Sequence, residues 1–156
     1  MDFKKVIGTA MIPTVALVVL GIIGVVLGFV LRSGGTIVGL ISLAITIGIF
    51  GISCLILLYG GYSATKRSKL DLVGALLVGA TAGFVSSIIN GIINLIMMIV
   101  NLSSVASQMP SQNVSSETIW AAGGIIGILG LVIGIVLWLF IGAVLGVIGG
   151  FIGQKI

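Results

Sequence analysis

The side chains able to do chemistry inside the apolar runs of this chain are neutral ones. Ser42, Thr46 and Ser53 fall in one run, and Ser86, Ser87, Asn90, Asn94 and Asn101 fall in the next or at its edge. Hydroxyls and carboxamides donate and accept hydrogen bonds but carry no charge near neutral pH. In a low-dielectric surrounding that leaves two uses. They can hold one helix to another, or they can line a path for water or a small neutral solute. Stronger chemistry is excluded by inventory. The sequence has no histidine, and its carboxylates, Asp2, Asp71 and Glu117, all lie at or beyond the ends of apolar runs. Ser/His/Asp and Cys/His triads, HExxH zinc sites and carboxylate pairs within the membrane are therefore ruled out. Cys54 is the only cysteine, so no intrachain disulfide or cysteine metal cluster can form, and it reads as a small apolar residue. Nothing points to a cofactor or a metal, and the chain is expected not to be an enzyme.

Such side chains have to be positioned by helices in a bilayer. The chain is 59% hydrophobic and 6% charged, against roughly 25% charged in a soluble domain. So few charges cannot cover a soluble globule. Apolar runs at 6–31, 36–62, 72–100 and 119–152 each exceed the roughly 20 residues a span needs. They do not alternate polar with apolar, so helices are expected rather than barrel strands. The fold class is all-α integral membrane: a four-transmembrane-helix bundle in a single membrane domain, 1–156, with an outer polar loop at 101–117. The first run is too long for a signal-peptide core and reads as an uncleaved helix, with Pro13 expected to kink it.

Charge orients the bundle. Lys4, Lys5, Lys66, Arg67, Lys69 and Lys155 share one side of a four-span layout, and Arg32 falls on the other. The positive-inside rule then puts both termini in the cytoplasm of a multi-pass cell-membrane protein. A net charge of +4 spread over span ends suits lipid, not nucleic acid. The outer loop carries "NLS" at Asn101 and "NVS" at Asn113, formal N-glycosylation sequons, of which only Asn113 is far enough from the membrane to be an acceptor. Ser68-x-x-Asp71 resembles a capping box for the third span.

On a helical wheel the third span has two faces. Gly79, Gly83, Ser86, Ser87, Asn90, Asn94 and Asn101 share an arc of about 140°, opposite a wall of isoleucine, leucine and valine. Two registers run through that arc. A heptad row through Gly83, Ser87, Asn90, Asn94 and Asn101 is the preferred one, and a small-x-x-x-small row through Ala75, Gly79, Gly83, Ser87 and Gly91 competes with it. Span two carries a similar heptad row through Ser42, Thr46 and Ser53. The short loop between spans two and three predicts that they are antiparallel neighbours whose seams share hydrogen bonds, with Thr46 level with Ser86 and Ser42 with Asn90.

Span four supplies glycine. Gly123, Gly127, Gly130 and Gly134 share one narrow face, and Gly142, Gly146 and Gly150 form consecutive GxxxG steps on another. Span one has a shorter row at Gly21, Gly24 and Gly28. Glycine rows let helix backbones approach closely, so span four is expected to pack its outer half on span one. Its inner half is expected on another neighbour or a second subunit.

The four-span layout and the tail "GAVLGVIGGFIGQKI" resemble the small glycine-zipper membrane proteins common in archaea, methanogens in particular. That resemblance implies membrane residence and carries no activity over to particular residues. Small multidrug transporters also have four short spans, but their pattern includes a carboxylate in the first, and 6–31 has none. Two roles remain. The first is a structural or accessory protein whose partners are the lipid bilayer and, through its glycine rows, further copies or a larger membrane complex. The alternative is a channel or transporter for water or a small neutral solute along the seam of spans two and three. A cavity touching Asn90, Asn94 and Ser42 favours the second, and direct hydrogen bonds with no void favour the first.

Overall fold

A computed structural model describes the chain at 3–31, 36–108 and 116–156. It contains α1 (Phe3–Val30), α2 (Thr36–Lys66), α3 (Leu72–Gln108) and α4 (Ser116–Lys155), and no strand among the described residues. All four helices are long and apolar enough to cross a membrane. Large aliphatic side chains such as Ile12, Ile37, Leu55 and Ile126 lie exposed along them, as a lipid-facing surface requires.

The helix bounds differ from the apolar runs in two informative ways. α3 continues past Val100 to Gln108, through "NLSSVASQ", because nothing there breaks a helix until Pro110. The polar segment expected at 101–117 is thus partly helical, and Asn113 lies outside the described residues. α2 runs to Lys66 rather than ending near Tyr62. The turn closes with Lys69 in the left-handed region, φ 52°, uncommon for a residue with a side chain. α3 then starts on Asp71, whose Oδ1 accepts the Gly74 N–H at 2.8 Å. Asp71 is itself the N-cap, so Ser68 is not the first residue of a capping box.

Around the bundle the order is α1, α2, α4, α3. α1 and α4 make no contact among the described residues, while α2 and α3 touch across the other diagonal. This corrects two expectations. α4 packs on α3 and α2 and not on α1, and α2 and α3 face each other across the bundle rather than side by side. The cause lies in the small residues. The row Ala75, Gly79, Gly83 and Gly91 of α3 meets α4 along its length. A methyl at Gly79 would overlap the Gly142 carbonyl, one at Gly83 the Trp138 carbonyl, one at Gly146 the Ala75 carbonyl, and one at Gly91 would come 3.2 Å from Leu131. The competing small-residue register of α3 is therefore the one facing a helix, and that helix is α4. On its other side α4 meets α2, where Gly61 lies against the Gly146 carbonyl and Gly149 against the Leu58 carbonyl. Backbones packed this closely gain dispersion contacts that no larger residue would permit.

The packed core sits in the half of the bundle that holds the termini. Val6, Ala10, Ala64, Ala75 and Val78 form one buried cluster. Leu17, Leu57 and Ala82 form a second, with Trp138, Ile141 and Leu145 packed against it. Two polar links reinforce this half. The Thr65 hydroxyl lies 3.1 Å from the Gly150 carbonyl, joining α2 to α4. Thr9 and Ser68 hydroxyls meet at 2.7 Å, joining α1 to the α2–α3 turn.

Candidate functional site

Beyond the second core cluster, toward the end away from the termini, the helices part. A cavity of about 600 Å³ lies between α1 (Gly21, Gly24, Gly28), α2 (Ser42, Thr46, Ile49) and α3 (Asn94, Met98, Asn101). A second, of about 400 Å³, reaches Ser53, Ser86, Ser87 and Asn90 and is closed on the far side by Gly127, Gly130, Gly134 and Trp138 of α4. The two share Gly21, Ile49, Asn94 and Met98 in their walls, so they adjoin. Among the described residues, no charged one lines either.

Glycine makes this room as it makes the packing elsewhere. At Gly28, Gly130 and Gly134 a methyl would meet nothing within 4 Å. Among the described residues, these three expected packing glycines hold no helix. A methyl at Gly24 would come 3.2 Å from Ile49 of α2, and one at Gly127 would come 2.7 Å from Leu95 of α3. Gly123 is buried.

The polar seam is brought together around these cavities, but not by the bonds expected of it. Four of its hydroxyls turn back on their own helices. Thr46 donates to the Ser42 carbonyl at 2.8 Å, Ser53 to Ile49 at 2.8 Å, Ser86 to Gly83 at 3.2 Å and Ser87 to Phe84 at 2.8 Å. Asn94 donates from Nδ2 to the Asn90 carbonyl at 3.0 Å. Such back-bonds satisfy a donor in an apolar setting without tying helices together. The level of the two seams is also shifted. Ser42 and Thr46 share a cavity with Asn94 and Asn101, not with Asn90 and Ser86, because α2 carries the extra turn to Lys66 before α3 begins.

Asn90 is the exception, and its partner is α1. Its Nδ2 donates to the Leu17 carbonyl at 3.3 Å. Its Oδ1 is buried with no hydrogen-bond partner. The amide fits because residue 21 is glycine: a methyl there would overlap it. The sequence singled out Asn90 and Gly21 separately, and no spacing rule joins residues so far apart in the chain.

The chemistry of the wall follows from these bonds. With the Thr46, Ser53, Ser86 and Ser87 hydrogens committed to backbone carbonyls, those hydroxyl oxygens are left as acceptors. Among the described residues the chamber wall is thus richer in acceptors than donors, carries no charge, and is otherwise apolar. Compared with known proteins, the chain matches no protein-family model, no curated protein and no solved structure.

Proposed function

We propose that this chain is a multi-pass membrane protein that takes a small, uncharged, hydrogen-bond-donating molecule into the chamber between its helices, as the entry half of a channel- or transporter-type path. The observation that carries the reading is that the polar seam lines open space instead of pairing across α2 and α3. The combined size suits a small organic molecule or a cluster of waters. Leu17, Leu57 and Ala82 close the chamber toward the termini, so the path is blind there and passage needs a second conformation. The basic residues at the termini end support a cytoplasmic setting for that end by the positive-inside rule, and with it a chamber that faces outward. The test is labelling with a membrane-impermeant maleimide in a Cys54→Ala background. Asn94→Cys should react rapidly from outside and Ala82→Cys should not. A silent Asn94→Cys would overturn the reading.

A second reading rests on α2. Gly39, Gly48 and Gly51 are exposed, and a methyl at each would meet nothing within 4 Å. Another helix could approach there, as in a homo-oligomer or a larger membrane complex, giving the chain an accessory role built on glycine packing. Disulfide capture of Gly48→Cys protomers in native membranes would support this role, and its absence in cross-linking that traps a known dimer would count against self-assembly.

A further inference from the structure

The opposite end of the bundle carries a different site. Lys5, Gly8 and Thr9 of α1 and Arg67, Ser68 and Lys69 of the α2–α3 turn wall a cavity of about 460 Å³. Among the described residues, three cationic side chains line it and no carboxylate does. Its place in the fold is fixed. Thr9 donates to the Lys5 carbonyl at 2.8 Å, which uses its one hydrogen, so the 2.7 Å contact with Ser68 has Ser68 as donor. That bond pins the turn to α1. The left-handed Lys69 reverses the chain so that Arg67, Ser68 and Lys69 border one cavity.

The cavity lies where α1 enters its apolar stretch and α2 leaves it, at the level of lipid headgroups. Gly8 leaves it open: a methyl there meets nothing within 4 Å. One turn deeper on the same side of α1, Met11 and Ile12 are 67% and 70% exposed. A cationic cleft at the interface, continued by an exposed apolar groove, matches a molecule with an anionic head and an acyl tail. We propose that this cleft binds the phosphate headgroup of an anionic phospholipid, with Arg67 and Lys69 neutralising the phosphate and an acyl chain running past Met11 and Ile12. This site is independent of the chamber at the other end.

The test uses the full chain in nanodiscs and native mass spectrometry, with phosphatidylglycerol and phosphatidylcholine as probes. Phosphatidylglycerol should be retained about tenfold better, and the preference should fall with added salt. Arg67→Gln with Lys69→Gln should abolish the preference. Both side chains are exposed, so the fold should be untouched. Gly8→Leu fills the cleft without removing a charge and should also abolish it at unchanged melting temperature. Equal retention of the two lipids, or a preference that survives Gly8→Leu, would overturn the proposal. Displacement of the lipid by millimolar inorganic phosphate, with no gain from an acyl chain, would reassign the cleft to a soluble anion and overturn the lipid assignment.

Discussion

The carboxamide of Asn90 lies flat against Gly21: its Nδ2 reaches the Leu17 carbonyl at 3.3 Å, and a methyl on Gly21 would overlap the amide. The two residues make a lock and a notch between α3 and α1. Gly21→Ala should expel the amide and destabilise the protein by about 1–3 kcal/mol, the usual cost of overpacking. In an Asn90→Ala background the notch is empty, so the same change should cost far less. A double-mutant cycle of unfolding in detergent measures the difference. Additive costs would mean that the two side chains do not meet.

The glycines divide into two classes that a sequence count treats alike. Gly79 and Gly142 lie against each other's carbonyls, so a side chain at either must push α3 and α4 apart. Gly79→Val and Gly142→Val should each lower the melting temperature sharply or abolish recovery of folded protein. Gly130 and Gly134 of the same helix meet nothing within 4 Å. Gly130→Ala and Gly134→Ala should be neutral or stabilising, since alanine favours the helix by up to about 1 kcal/mol over glycine. The comparison is read by thermal unfolding of the four variants. Equal damage from all four would contradict the division.

Thr65 offers a third check. Its hydroxyl stands 3.1 Å from the Gly150 carbonyl and 3.2 Å from the Tyr62 carbonyl, in a buried position between α2 and α4. Thr65→Val keeps the shape and removes the donor. Interhelical bonds in membranes are worth about 0.6–2 kcal/mol, so a loss in that range is expected. Thr65→Ser, which restores the donor, should recover most of it. A value for Thr65→Val within error of wild type would show that the hydroxyl satisfies only its own helix.

Much of the fold was legible because it follows from composition and length. Long apolar runs without charge read as helices able to cross a bilayer, and "RSGG" and the basic segment near Lys69 mark connections. The two faces of α3 were legible from angular spacing. What each face touches was not. Periodicity gives a direction on one helix, but the neighbour in that direction depends on which pairs of small rows fit best. The row Ala75, Gly79 and Gly83 found its complement in Gly142 and Gly146 of α4, leaving α2 across the bundle. Register was misjudged for a local reason: α2 winds one more turn to Lys66 through "SATK", polar residues that hydropathy assigns to the loop. The Asn90–Gly21 notch and the Thr9–Ser68 bond join distant segments and leave no mark on either one alone.

Gly28 gives the most direct test of the chamber. It lines the larger cavity, and a methyl there meets nothing within 4 Å. Gly28→Leu therefore places a side chain in open space between α1, α2 and α3 rather than against a neighbour. The fold should tolerate it, with a melting temperature equal to or above wild type because leucine also favours helix. The cavity should shrink, and Asn94→Cys at its wall should react with the impermeant maleimide several-fold more slowly. Gly48→Leu is the matched control. It makes the same change on the exposed side of α2, again with nothing within 4 Å, but outside the chamber. If both leucines slow the reagent alike, or neither does, then Asn94 is reached from lipid or bulk water and not through the space bounded by Gly28.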